Sequence, residues 1–413
     1  MPAGLVVLLL ALLLGLQPLT TDLYLPALPA LTLDLGATMH QAQLTLSALL
    51  LAFGISQLFW GPLSDRYGRR PILLAGLALY ALASVGSVFA ANVEQLVLWR
   101  IVQGAALGAA VMGARAIVRD LYAPVEGARM MSKGLTGLGV LACISAPLGG
   151  LLSDWMGWRA ALGVLALFGA ATMALVLWRF EESLRQPNPQ ALRSAVLLRT
   201  WGVILRHPTF WAWALLLSAS YAGLFTFLAS SSFVFINALG LSKTEYGLLM
   251  FSMSAVYIAG TVLCRRLIVR LGLRRTVAVA GALSLCGGSL IGALGWLGWH
   301  SVWAIMLPYY LFILAHGMHQ PCGQSGAVGP FPHAAGTASA LSGFLMMMVA
   351  FAMGTYLAAQ MPTGTEGASV RPLTDGLWFW SVLIAAVAWT LVQRFGEPAA
   401  PPAAQPAQPE RAR

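Results

Sequence analysis

Apolar stretches of about twenty residues recur along the whole of this 413-residue chain. A helix of that length crosses the ~30 Å hydrocarbon core of a bilayer, whereas a transmembrane barrel would show strands of about ten residues with alternating polarity. Hydrophobic residues form 59% of the chain, charged residues form 9%, and the mean hydropathy is +0.77. No water-facing globular surface of this size tolerates such a composition. The sequence therefore predicts an all-α protein that spans the lipid bilayer.

Twelve transmembrane helices are predicted, six before and six after a longer polar segment. Their approximate limits are 5–31, 43–61, 72–91, 95–118, 131–152, 159–179, 209–236, 246–268, 275–295, 301–322, 334–360 and 376–395. Residues 1–180 are expected to form one six-helix bundle, 181–208 a cytoplasmic connecting loop, and 209–396 a second bundle. The Pro/Ala-rich tail 397–413 is expected to be disordered, because it offers almost nothing to bury.

The basic residues lie on one side of the predicted spans. A net charge of +10 is compatible with a nucleic-acid partner, but nineteen of the 24 lysines and arginines fall in loops on one face or in the ends of the chain. The opposite face holds Arg159, Lys243 and Arg371. Because cytoplasmic loops retain basic residues, this bias predicts cytoplasmic termini and no role in nucleic-acid binding. We expect a multi-pass protein of the cell inner membrane.

Charges of both signs are concentrated in the turn after the second predicted span. The stretch GPLSDRYGRRP, residues 61–71, resembles the signature loop of the major facilitator superfamily, GxLxDRxGRR. The resemblance implies twelve helices in two pseudo-symmetric bundles with alternating access, and a cytoplasmic latch between helices in which Asp120 is the partner of Arg69. The alternative is a solvated turn kept for orientation. The residues assigned to this latch motif are Gly61, Asp65, Arg66, Gly68, Arg69, Arg70 and Asp120.

A second basic segment, CRRLIVRLGLRR, follows the eighth predicted span, at the place in the second half that GPLSDRYGRRP occupies in the first. Such an internal repeat implies two similar bundles that enclose a central path. The alternative is that both segments are simply basic loops retained on one side of the membrane.

The fourth predicted span contains an arginine, Arg100, at a depth where contact of its charge with lipid would be unfavourable. A charge at the centre of a helix costs about 2.5–3.5 kcal/mol on insertion scales, so Arg100 should face a wet cavity or a partner, the alternative being a side chain that reaches the outer interface. Residues 98–106 resemble the superfamily's fourth-helix motif, RxxQGxxAA, with Arg100, Gln103 and Gly104 at its defining positions.

Asp22 is the carboxylate that lies well inside a predicted span. It lies ~13 Å from the outer end of its helix and Arg100 lies ~8 Å from the outer end of its own, so we expect the two to pair. Burial disfavours the charged carboxylate and a guanidinium favours it, so substrate or conformation could tip Asp22 between its protonated and free forms. Asp22 and Arg100 are therefore predicted as the proton-coupling pair. The alternative is a helix cap or structural pair near Pro26 and Pro29.

Two further segments narrow the resemblance. TDLYLPALPAL, residues 21–31, and residues 330–341 resemble the bicyclomycin and chloramphenicol/florfenicol resistance (Bcr/CflA) branch of the drug/proton antiporters. The fifth helix departs from that group's GxxxGPxxGG pattern. It keeps Pro147 and Gly150, but Ala146 and Leu151 stand where the pattern has glycine. This departure leaves the direction of transport open, while Pro147 predicts a kink.

Candidates for a substrate pocket and a metal site rest on residue type alone. An apolar drug cavity is predicted to be lined by Gln17, Tyr24, Tyr221 and Phe225, although such residues also pack against neighbouring helices. His316 and His319 lie three apart on the tenth span without nearby carboxylates, so we expect hydrogen-bonded or pore-facing rings and no metal site. The four cysteines are scattered singly and are interpreted as packing residues.

The expected function is proton-coupled efflux of small amphipathic drugs or related metabolites by a monomer that needs a proton gradient and no cofactor. ATP is not the expected fuel, because Lys133 and Lys243 each follow a serine and no Gly-Lys-Ser/Thr phosphate loop occurs. Two alternatives stay open: an exporter of a physiological metabolite such as an amino acid, and a proton symporter for uptake. A membrane enzyme would need a catalytic cluster that the sequence does not contain.

Overall fold

A computed structural model describes residues 1–122, 124–184, 186–331, 334–360 and 369–396, and every regular element in these ranges is a helix. The helices are α1 (Ala3–Asp22), α2 (Leu28–Asp34), α3 (Met39–Tyr67), α4 (Arg69–Val88), α5 (Val93–Leu121), α6 (Pro124–Trp155), α7 (Trp158–Arg179), α8 (Ser194–Leu205), α9 (Pro208–Ser232), α10 (Lys243–Trp296), α11 (Val302–Val328), α12 (Ala335–Gln360), α13 (Arg371–Trp389) and α14 (Leu391–Phe395). The predicted all-α fold is confirmed. The predicted disordered tail 397–413 and residues 332–333 lie outside the described ranges.

Eleven helical segments in the described part of the chain are long and apolar enough to cross a membrane. One of them, α10, has 54 residues and would be ~81 Å long if straight, which is too long for one crossing. Gly272 interrupts it with a φ of 77°, a conformation that glycine adopts without strain, so residues 243–271 and 273–296 form two arms. Twelve crossings result, and since that number is even, residues 3 and 395 lie on the same side, called here the termini side.

A glycine with a positive φ also separates two consecutive crossings in the first half of the chain. Gly68 has a φ of 102° and separates α3 from α4, as Gly272 separates the arms of α10. These two glycines belong to the two basic segments that repeat in the sequence. Each segment therefore makes a sharp turn between consecutive crossings at the termini side.

Two predicted elements differ from the structure. The first span is not one continuous helix: α1 ends at Asp22, a short 3-10 turn covers Leu25–Ala27, and α2 follows. Pro26 and Pro29 lack the backbone N–H that a continuous helix requires. The segment predicted as a connecting loop contains the twelve-residue helix α8, because its apolar residues can pack on the bundle, and Ile204 is fully buried.

Helices from the two halves of the chain pack closely along α3–α12 and along α6–α10. A side chain added at Gly54 would overlap Met347, and one added at Gly150 would overlap the backbone of Lys243. Small residues at such crossings let helices approach closely in lipid. The 3-10 turn at the break in the first span contacts α6 of the first half and α9 and α10 of the second, which places the break at the junction of the two halves.

Candidate functional site

Asp22 lies at the end of α1, where the first span breaks. Its side chain is partly exposed although both sequence neighbours are buried, and its Oδ1 accepts a hydrogen bond from the Thr21 hydroxyl at 2.8 Å. Tyr221 on α9, Tyr246 on α10 and Cys143 on α6 lie close enough to Asp22 for its charge to act on them. The carboxylate therefore faces helices from both halves of the chain.

Arg100 is fully buried inside the first set of helices. One guanidinium nitrogen donates to the Gln103 side-chain oxygen at 2.6 Å, and another donates to the Thr20 carbonyl at 3.4 Å. The guanidinium carbon lies 4.0 Å from the centre of the Tyr24 ring, within the range of a cation–π interaction. Gln103 in turn donates to the Ser84 hydroxyl at 2.7 Å. Dipoles and an aromatic face thus surround the charge, while the buried Nε has no hydrogen-bond partner among the described residues.

The predicted pairing of Asp22 with Arg100 is wrong as a direct contact. None of the ion pairs between described residues includes either side chain. Side chains two apart on a helix point about 200° apart, so the Asp22 carboxylate is directed away from the side of α1 on which the Thr20 hydroxyl meets Tyr80, which lies near Arg100. The similar distances of the two residues from the outer ends of their helices say nothing about the direction of a side chain around the helix axis. Arg100 nevertheless contacts the Asp22 segment through Thr20 and Tyr24.

Two further hydrogen bonds fix this end of α1. The Thr20 hydroxyl lies 2.6 Å from the Tyr80 hydroxyl of α4, and the Tyr24 hydroxyl lies 2.9 Å from the Thr45 hydroxyl of α3. All four side chains are buried. A buried network with its members satisfied holds one arrangement, so the segment around Asp22 is rigidly positioned.

The sequence-predicted pocket residues separate into two groups. Gln17 donates to the Tyr221 hydroxyl at 3.4 Å, which joins α1 to α9 at the junction of the two halves. Phe225 is 2% exposed and lies beside Gly354 of α12. Tyr24, by contrast, is fully buried against Arg100 and Thr45. Gln17 and Tyr221 are therefore the members of this set that lie close to the Asp22 carboxylate.

Glycines of α6 shape the wall next to Asp22. A Cβ at Gly149 would overlap the Leu23 carbonyl, and Gly247 of α10 packs on Ala146 and Pro147 in the same way. Pro147 and Gly150, the two residues of the fifth-helix pattern that this chain keeps, thus lie where α6 meets both the Asp22 segment and the first arm of α10. Gly104 allows a similar approach of α5 to the backbone of Leu49.

The turn between α3 and α4 gathers the charged residues of the signature loop. Arg69, only 2% exposed, lies 2.6 Å from Asp65 and 2.7 Å from Asp120, and its guanidinium also donates to the Ser64 hydroxyl at 2.6 Å. Arg66 is exposed and stacks on the neighbouring Tyr67 ring at 5.3 Å. The buried guanidinium joins α3, α4 and α5 at the termini side.

Sequence reasoning missed two members of this cluster. The Glu182 carboxylate accepts from the backbone N–H groups of Arg69 at 2.9 Å and Arg70 at 3.0 Å, at the N-terminus of α4. Arg119 lies 3.3 Å from Asp65. An acid that satisfies free N–H groups at a helix N-terminus is favourable, but more than a hundred residues separate Glu182 from α4, so no local pattern reveals the contact.

Polar contacts join the two halves near both membrane faces. On the side away from the termini, Asp154 of α6 lies 3.4 Å from Lys243 and accepts from the Thr244 hydroxyl at 2.7 Å. On the termini side, Arg115 of α5 donates to the Ser339 hydroxyl of α12 at 2.7 Å. The halves therefore touch near both membrane faces.

Histidine and cysteine side chains meet in the second half. The Ser220 hydroxyl lies 2.8 Å from Nδ1 of His316 and 3.3 Å from Nδ1 of His319. Cys264 and Cys322, which are far apart in the sequence, are brought to 3.5 Å between sulfur atoms as free thiols. In the described ranges no group of three or more His, Cys, Asp or Glu side chains could hold a metal ion.

Comparisons with known protein sequences identify one family profile and several related transport and resistance proteins. A family profile described as "Major Facilitator Superfamily" matches residues 10–355. "Multidrug resistance protein D" of Escherichia coli is 31% identical, over 87% of this chain and 90% of its own length. "Chloramphenicol resistance protein" of Pseudomonas aeruginosa is 29% identical over 85% and 83%, and "Bicyclomycin resistance protein homolog" of Haemophilus influenzae is 28% identical over 83% and 86%.

Solved structures share the fold at low identity. A D-xylose-proton symporter matches with a TM-score of 0.76 and 17% identity, over 96% of this chain and 99% of its own. The human organic anion transporter MFSD10 matches with a TM-score of 0.70 and 21% identity, over 95% and 100%. These likenesses extend over nearly the whole of each chain.

Proposed function

The chain belongs to the major facilitator superfamily, in the branch of the bicyclomycin and chloramphenicol resistance transporters, and from that premise we propose that it exports small amphipathic drugs or related metabolites in exchange for protons. It is a membrane-embedded transporter rather than an enzyme, and a multi-pass protein of the inner membrane. The proton gradient supplies the energy, no cofactor takes part, and a monomer suffices.

The observation that carries the proposal is the position of Asp22. A partly exposed carboxylate inside a membrane span marks a functional site by default, because such a charge is costly in lipid. Tyr221 and Tyr246, which its charge reaches, belong to the other half of the chain. When the halves move relative to each other, the surroundings of Asp22 change, and its proton occupancy changes with them. Asp22 is thus the proton-coupling site.

Arg100 is a positioning residue in this scheme. It holds Thr20 by a hydrogen bond and Tyr24 by its ring, on either side of Asp22 in the chain. Without a carboxylate partner, the buried cation depends on these groups to offset the cost of its desolvation. Arg100 therefore acts on Asp22 through the backbone of α1.

Gradient coupling supplies enough free energy for export. With cytoplasmic termini, as the distribution of basic residues favours, protons enter from the side of Asp154 and Lys243. One proton moving down a driving force of ~150 mV releases ~3.5 kcal/mol, enough for a substrate gradient of a few hundredfold.

Everted membrane vesicles with a respiration-driven pH gradient and an internal pH dye test the assignment. Chloramphenicol, bicyclomycin and tetraphenylphosphonium are added in turn, and proton release is recorded. We expect the wild-type protein to exchange protons for at least one compound and Asp22→Asn to abolish the exchange. The matched control is Asp34→Asn, which changes the carboxylate at the end of α2 that pairs with Arg159 at the outer surface.

Full exchange by Asp22→Asn would refute the coupling role. Accumulation of compound only with the pH gradient reversed would instead indicate a symporter for uptake. A wild-type protein that exchanges no proton for any drug but does so for an amino acid would indicate a metabolite exporter.

A further inference from the structure

Arg115 is a cation within a membrane span that has no acidic partner among the described residues. It belongs to α5 and lies six residues before the end of that helix at Leu121 on the termini side, ~9 Å along the axis. Its side chain is partly exposed, and none of the ion pairs between described residues includes it. The last turn of a helix favours cations, but Arg115 lies nearly two turns from the end, so the helix dipole does not account for the charge.

The acids near this end of α5 are already paired with other arginines. Asp65 lies 2.6 Å from Arg69 and 3.3 Å from Arg119. Asp120 lies 2.7 Å from Arg69 and 3.8 Å from Arg119. Arg119 follows Arg115 by one turn of α5, and like charges at that spacing repel each other. Three guanidinium groups thus lie near two carboxylates, and Arg115 carries the unpaired charge.

The hydrogen bond that Arg115 makes crosses to the other half of the chain. Its Nη1 donates to the Ser339 hydroxyl of α12 at 2.7 Å, while Nε and Nη2 donate to no described residue. Gly336 lies one turn before Ser339 on the same face of α12, and a Cβ added there would lie 3.1 Å from the Arg119 guanidinium. The beginning of α12 therefore covers both arginines, and it leaves them when the halves part on the termini side.

We propose that Arg115 is the recognition site for a carboxylate group of the exported compound, an inference that rests on the proposed export function. When the halves part on the termini side, Arg115 loses Ser339 and faces the water from which the compound enters. A guanidinium binds a carboxylate through two parallel N–H···O bonds, whereas the Ser339 hydroxyl accepts one bond. The substrate class is therefore a small amphipathic acid, with an apolar body and one carboxylate.

The partners of Arg115 distinguish it from the other arginine within a span. Arg100 is fully buried, and its partners Gln103 and Thr20 belong to its own half, so they stay with it when the halves move. Arg115 loses its partner in one state of the cycle, and a partly desolvated charge left without a hydrogen bond is costly. A substrate carboxylate offsets that cost. The compound then moves deeper as Ser339 replaces its carboxylate on Arg115, so loading and closure are coupled.

Two compounds that share an apolar body test the site. Chloramphenicol succinate has a free carboxylate, and chloramphenicol has none. Equilibrium dialysis measures the binding of each compound to the full-length protein in nanodiscs of zwitterionic lipid, without a proton gradient. We expect the wild-type protein to prefer the succinate. Arg115→Gln should weaken succinate binding about thirtyfold, the scale of a lost hydrogen bond between charged groups, while chloramphenicol binding weakens less than about twofold.

Three further variants sharpen the measurement. Arg266→Gln is the matched control, since Arg266 is an exposed arginine that lies six residues before Gly272 on the termini side, and it should keep both wild-type affinities. Arg115→Lys keeps the charge without the planar fork, so its affinity for the succinate should fall between those of the wild-type protein and Arg115→Gln. Ser339→Ala should tighten succinate binding about threefold, because the competing hydroxyl is gone.

Several results would overturn the carboxylate site. The wild-type protein would bind neither compound or both with equal affinity, or Arg115→Gln would weaken both equally, which indicates a structural role. Succinate binding that disappears in nanodiscs containing anionic phosphatidylglycerol would assign Arg115 to a lipid phosphate instead. A wild-type protein that prefers the succinate but exchanges protons for neither compound in the vesicle assay would refute the proposed function and leave the binding site in place.

Discussion

Arg100 illustrates how a membrane protein keeps a charge without an opposite charge. Its nitrogens meet the Gln103 oxygen and the Thr20 carbonyl, and its flat face lies on Tyr24. The planar guanidinium can donate in two directions and stack at the same time, which a lysine ammonium cannot do. This explains why an arginine occupies the position although its insertion is costly.

Arg100→Lys should therefore impair the protein although the charge is kept. We expect the free energy of unfolding to fall by about 2 kcal/mol, the value of a hydrogen bond to a charged group, and proton exchange to weaken because Thr20 and Tyr24 lose their support. Thermal denaturation and the vesicle assay measure the two effects. Arg66→Lys, at an exposed position in the turn, is the control and should change neither. Wild-type stability in Arg100→Lys would contradict the positioning role.

At the scale of the helices, the crossings could be predicted from the sequence because twenty apolar residues have few options in lipid. The site was harder to predict, since it depends on rotation about helix axes and on distant contacts. The similar depths of Asp22 and Arg100 in the membrane suggested that they pair. The rotation of the helix between Thr20 and Asp22, however, directs the carboxylate away from Arg100. Glu182 and Ser220 contact partners about a hundred residues away. The pairing of Arg69 with Asp120 was accessible only through the family resemblance.

The close packing of α6 on the end of α1 depends on Gly149. A methyl group there would overlap the Leu23 carbonyl, and a backbone atom cannot move aside as a flexible side chain can. Gly149→Ala should destabilise the protein by about 1–3 kcal/mol and displace Asp22, which lowers proton exchange. Melting temperature and vesicle exchange report both effects. Gly163→Ala on α7, where nothing lies within 4 Å of the added atom, should be harmless. Equal melting temperatures for the two variants would show that α6 can shift without cost.

At the scale of the whole molecule, the contacts between the halves lie near both membrane faces. Asp154 and Lys243 close one end, and Arg115 and Ser339 close the other. For a substrate to cross by alternating access, each contact must break in turn while the opposite one holds. The two contacts are thus expected to be transient, in contrast to the pair of Asp34 with Arg159, which joins helices of the same half.

A disulfide between the halves should consequently arrest transport. In the double variant Asp154→Cys with Lys243→Cys, oxidation by copper-phenanthroline is expected to stop drug-driven proton release, and dithiothreitol is expected to restore it, because opening on the side away from the termini requires the two positions to separate. The control pair Asp34→Cys with Arg159→Cys should cross-link without loss of transport, since helices α2 and α7 of one half move together. Transport that continues in the oxidised Asp154/Lys243 pair would mean that substrate leaves without parting α6 from α10, and the two halves would then not rock as rigid bodies.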